Sequence, residues 1–133
     1  MKVYVFGNTD LPQDNQAIKI TTQLQKTFPE VSFIFVKPNE DVPFVGEKKV
    51  IILDTVQGIE KVELIKGEDL DRISVAPRGS VHDFDLAFQL KYLKKLDKIG
   101  EVSIIGLPQS GTIDQERIQS ILRKLVAQDI HGS

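Results

Sequence analysis

The chain has 133 residues, 41% of them hydrophobic and 27% charged, an ordinary balance for a globular fold and enough length to bury a core. A net charge of −2 supplies no basic field for a phosphate backbone, so nucleic-acid binding is not expected. The lack of cysteine removes disulfides, thiolate metal sites and a cysteine nucleophile and suits a cytoplasmic protein, while no apolar run nears the roughly 18 residues of a membrane span.

The start, MKVYVFG, reads as a first strand over Lys2–Phe6 and not as a signal peptide, and the pair Gly7-Asn8 stops it. From Asp14 to Phe28, the apolar residues Ala17, Ile20, Leu24 and Phe28 recur at helical spacing, and Pro29 closes that helix. Val31–Val36 is a second strand, followed by the loop KPNEDVPF. Lys49–Leu53 is a third, apolar on both faces and therefore buried. Lys61–Lys66 alternates Val62 and Leu64 against Glu63 and Ile65, which predicts a half-exposed strand near an edge, with Ile73–Val75 as its partner in a hairpin.

Ser80 and Asp83 have the spacing of a capping box, opening a helix to about Leu96 with Leu86, Leu90 and Leu93 on one face. Val102–Leu107 is a last apolar strand. A second capping box, Thr112 to Gln115, leads into a helix with Ile118, Ile121, Leu122 and Leu125 as its apolar face. Residues 130–133 are expected to form a disordered tail. The order predicts a single α/β domain over 1–133: three layers, a mostly parallel central sheet, an antiparallel edge hairpin and helices on both faces.

In such folds ligands bind beyond the carboxyl ends of the strands. Asp14 follows the first strand, Asp54 ends the third, and His82 lies in the first turn of a helix, so all three belong to one rim. Two carboxylates and an imidazole are nitrogen and oxygen ligands that suit a borderline divalent metal. A helix N-terminus favours a neutral, ligating imidazole. Each residue also has a plainer role. Asp14 could cap the first helix, Asp54 could brace the turn before Gly58, and His82 could be a solvated polar residue.

At these points the sequence resembles the hydrogenase maturation endopeptidases, which remove a C-terminal extension from the large subunit of nickel-iron hydrogenases. That family opens with a strand and a GxGN turn, with an acidic residue six positions after the asparagine. Here Gly7-Asn8 ends the motif, Val5 replaces its first glycine, and Asp14 falls six after Asn8. VIILDTVQG matches the family's third strand at Asp54, Ser80-Val-His82 its later histidine, and VSIIGLPQ its penultimate segment. The resemblance implies an aspartic-type endopeptidase in which Asp14 and Asp54 are catalytic. It also implies that Asp14, Asp54 and His82 contact nickel supplied by the hydrogenase large-subunit precursor, not tightly owned by the protease. A monomer without membrane insertion is expected.

Two other classes fit parts of the pattern. A phosphoacceptor receiver-like signalling domain also places an aspartate at the end of its third strand. It needs a lysine at the end of its last, where this chain has Leu107-Pro108-Gln109. A non-catalytic metal- or protein-binding module on the same fold is the other alternative, because fold alone does not fix function.

Overall fold

Val3, Tyr4, Val5 and Phe6 are all buried, so their strand carries apolar side chains on both faces and needs cover on both. This strand, β1 (Lys2–Phe6), belongs to a five-stranded sheet. The computed structural model describes residues 1–6, 16–36, 43–56, 58–69, 89–109 and 113–132. After β1 come α1 (Gln16–Thr27), β2 (Ser32–Val36), β3 (Lys49–Thr55), β4 (Glu63–Lys66) and a short 3-10 turn at Gly67–Asp69. Helical residues 89–95 (α2), β5 (Glu101–Leu107) and α3 (Gln115–Gly132) follow. The sheet order is β2-β1-β3-β5-β4; the first four strands are parallel and β4 is antiparallel at the edge.

Pleating sends alternate residues to opposite faces. Tyr4, Phe6, Val50, Ile52, Val102 and Ile104 pack with Leu90 of α2 on one side. Val3, Val5, Ile51, Leu53, Ile105 and Leu107 pack with α1 and α3 on the other. Three layers result, as the sequence predicts. Val5 is one of these core residues: it lies on the α1 side and is fully covered.

Both long helices bury the stripe read from the sequence. Ala17, Ile20 and Leu24 of α1, with Phe28 just beyond, are buried; so are Ile118, Leu122 and Leu125 of α3, while Ile121 is partly covered. α1 stops where expected, with Phe28 N–H still donating to the Leu24 carbonyl (2.8 Å) before Pro29. The start of α3 corrects the expected capping box. Its cap is Asp114, whose Oδ1 accepts from Arg117 N–H at 3.1 Å, the reach from an N-cap to the third helical residue. The expected disordered tail at 130–133 is helical through Gly132, since no proline or glycine lies between Asp114 and that residue.

β4 is the antiparallel edge strand, shorter than expected at Glu63–Lys66. Ile65 is buried on the α2 side, whereas Leu64 packs against the opposite cluster. Arg117 Nε donates to the Val62 carbonyl, tying α3 to this edge. The expected partner strand Ile73–Val75, the expected cap at Ser80 and Thr112 itself lie outside the described residues.

The described end of the β2–β3 connection serves the core at the amino edge of the sheet. Phe44 is fully buried against Tyr4 (ring centroids 5.2 Å apart, edge-on) and Phe6 (6.3 Å). Gly100 N–H and Glu101 N–H donate to the Glu47 and Lys48 carbonyls at 2.9 and 2.8 Å. Gly100 is required here: a Cβ would stand 2.0 Å from the Lys48 carbonyl oxygen.

Candidate active site

The sheet order reverses between β1 and β3. β1 leads through α1 to β2 on one side of it, and β2 leads to β3 on the other. Such a switch point opens a crevice at the carboxyl ends of the two strands. Asp54 is the penultimate residue of β3 and stands on this rim.

Asp54 is 2% exposed, which is unusual for an aspartate, and it is the one buried acid among the described residues. The pleat places it on the same face as Ile52 and Val56, the side covered by α2. Its register partner on β5 is Gly106. On the other flank, β1 pairs with β3 at Tyr4↔Ile52 and Val5↔Leu53, up to the residue before Asp54. The carboxylate therefore sits at the end of an apolar strand, with a glycine as its neighbour on β5.

The ladder runs on past Asp54. Val56 N–H donates to the Leu107 carbonyl at 2.8 Å, and Gly58, in a turn beyond it, has a φ of +91°. Asp54 lies inside the sheet, four residues ahead of Gly58. Gly106 keeps this end of β5 free of a side chain. A Cβ there would meet Val56, Ile59 and Ile65 at 3.1 to 3.3 Å, so those residues fill the space beside Asp54.

Thr55 points to the opposite face, in line with Leu53. It is fully buried, and its Oγ1 has no hydrogen-bond partner among the described residues. The hydroxyl lies at the same rim, on the side of the sheet that α1 covers. Its sequence signal is the polar pair Asp54-Thr55 closing an otherwise apolar run, in which a hydroxyl is less conspicuous than a carboxylate.

Asp14 and His82 lie outside the described residues. Asp14 is two residues ahead of Gln16, the first of α1, and His82 seven ahead of the helical stretch 89–95. The two following helices cover opposite faces of the sheet, α1 the side of Thr55 and α2 the side of Asp54. Among the described residues no three His, Asp or Glu side chains form a group able to hold a metal, so a three-ligand centre at Asp54 would draw on residues beyond them. The end of β5, Leu107-Pro108-Gln109, offers no lysine to meet a phosphoryl group on Asp54.

A family model described as HycI, hydrogenase maturation protease, matches residues 36–132. No curated protein sequence matches the chain. Among solved structures, the hydrogenase maturating endopeptidase HybD from E. coli superposes with a TM-score of 0.67 at 16% identity, over 99% of this chain and 94% of that one. The solution structure of an endopeptidase from Escherichia coli gives 0.61 at 14% identity, over 96% and 91%. The crystal structure of a hydrogenase 3 maturation protease gives 0.52 at 15% identity, over 81% and 72%. At these identities the structural likeness carries the fold alone.

Proposed function

This chain belongs to the hydrogenase maturation protease family, a family of peptide-bond hydrolases, and from that premise we propose that it removes the C-terminal extension of a nickel-iron hydrogenase large-subunit precursor. Asp54 is the observation that carries the reading: an almost wholly buried carboxylate at the switch point of a parallel sheet, where this architecture binds its ligands.

In the proposed reaction the nickel comes with the substrate. Asp54, with Asp14 from the segment after β1 and His82 from the segment before α2, contacts the metal already seated in the precursor. A metal so recognised registers that the subunit is loaded, and the extension is then cut by water. A carboxylate assists as general base, the chain offering no cysteine and no lysine at the rim of β5. The nickel is thus part of what is bound, not a resident cofactor. Such a protein works in the cytoplasm, as the cysteine-free sequence allows, and no helix among the described residues is long and apolar enough to cross a membrane.

The direct test is incubation of the protein with a nickel-loaded, extension-bearing large-subunit precursor, followed by intact mass. A subunit shortened by one C-terminal peptide supports the peptidase. Stable capture of the uncut precursor would instead support a binding module on the same fold.

A further inference from the structure

We propose that the outer face of α2 and its C-terminal turn form a docking surface for an acidic, partly apolar patch on the body of the precursor, at the end of the molecule opposite Asp54. The proposal rests on the precursor being the substrate. Three of the four exposed large hydrophobic residues among the described residues are Val45, Tyr92 and Leu96, 52%, 57% and 48% exposed. Tyr92 and Leu96 are four apart, hence stacked on one ridge of the helix. Val45 joins them because Gly46 N–H donates to the Lys98 carbonyl at 2.6 Å, holding the 43–46 turn against the end of α2.

The rim of this patch is cationic. Lys91, Lys94, Lys95 and Lys98 fall within eight residues that contain one acid, Asp97, whereas the whole chain carries a net charge of −2. Lys95 and Lys98 are exposed, as is Lys48 in the adjoining segment, whereas Lys94 lies on the other side of the helix with its Nζ beside Gly67. The helix dipole accounts for a lysine or two in a last helical turn. It does not account for exposed tyrosine and leucine among them. An apolar ridge beside concentrated like charge repels a second copy of this chain and attracts a surface of carboxylates around an apolar depression. Exposed aromatic residues are enriched at protein interfaces, and the lysines around this one would steer an acidic partner onto it.

The surface is also rigidly held. α2 ends in a Schellman turn: Lys98 N–H donates to the Leu93 carbonyl (2.8 Å), Asp97 N–H to that of Lys94 (3.1 Å), and Asp97 takes the left-handed conformation at φ +57°. Leu96 and Lys98 are therefore presented on a fixed backbone, which lowers the ordering cost of docking.

The test compares wild type with two doubly substituted proteins, Tyr92→Ser/Leu96→Ser and Lys95→Glu/Lys98→Glu, both checked for a native melting transition. Immobilised, nickel-loaded precursor is the binding probe, read by biolayer interferometry, with cleavage followed in parallel. Each variant should bind at least about tenfold more weakly than wild type. Its KM should rise by a similar factor while kcat is kept, and wild-type binding should weaken with added salt. Wild-type affinity in both variants, or no binding of the precursor to wild-type protein, overturns the docking surface. Wild-type binding that depends on these residues but is not followed by cleavage upholds the surface and overturns the peptidase reading.

Discussion

Asp54 concentrates the functional argument in one side chain. A carboxylate in an apolar strand is costly to keep, and 2% exposure removes the usual reason for tolerating it. If its purpose is chemical, Asp54→Asn should fold within about 1 kcal/mol of wild type, since shape and volume are kept. Precursor cleavage should fall on the order of 100-fold or more, the usual loss on removing a general base. Comparable unfolding of Asp54→Asn and Asp54→Ala, seen by thermal denaturation, would assign the residue to the fold instead. In the middle of β1, Tyr4 shows what a structural buried polar group looks like. Its hydroxyl donates to Glu47 Oε2, and burial, then that hydrogen bond and the Glu47 charge, raise its pKa well above the ordinary value of 10.0. A raised pKa means that the folded state holds the proton more tightly. The resulting stability is complete below about pH 10 and is lost as the pH climbs through the range where Tyr4 ionises in the unfolded chain but not in the folded one. Tyr4→Phe should thus be less stable by about 1 kcal/mol at neutral pH, the typical worth of one hydrogen bond. That gap should close in denaturant titrations as the pH rises past 10.

At the scale of elements, periodicity carried most of the fold. The stripe Ala17–Ile20–Leu24–Phe28 and the run Lys49–Leu53 are long enough for a period to declare itself, and α1 and β3 follow them. β4 was harder to bound, because Val62 through Ile65 mix burial on both faces of a short edge strand. The cap of α3 was misassigned for a local reason. Thr112 and Asp114 both precede the helix and both can cap, and only backbone geometry decides between them. Asp114→Ala should therefore cost about 1 kcal/mol and shorten the helical signal, while Asp114→Asn, which keeps the accepting oxygen, should retain most of that stability. Equal stability of Asp114→Ala and wild type in urea titrations would remove the cap assignment. Phe44 was the least legible core residue. It stands in a segment with loop composition, and its burial depends on contact with Tyr4 and Phe6 from a strand some forty positions earlier.

For the molecule as a whole, topology does what no single motif can: it brings the end of β3 beside the end of β1 and buries an aspartate there. Asp54 was legible because a charge ending an apolar run is conspicuous. Thr55 was not, since one hydroxyl in a strand is common and its isolation from partners among the described residues depends on the fold. Convergence of Asp14 and His82 on that rim is part of the proposed function and has a consequence at the level of the whole reaction. Three ligands that leave coordination positions open hold a borderline ion loosely unless another molecule completes the shell. Purified protein should then keep almost no nickel after dialysis, measured by elemental analysis, yet cut the nickel-loaded precursor and spare the same precursor without nickel. His82→Ala, which removes the only nitrogen ligand of the set, should narrow the difference between loaded and empty substrate. Free nickel added to the empty precursor should not rescue cutting, because an ion in solution is not held where the precursor presents it to the rim. Equal cleavage of loaded and empty precursor would show that Asp54 works on the peptide bond without reading the metal, and nickel recognition would then be withdrawn from all three residues together.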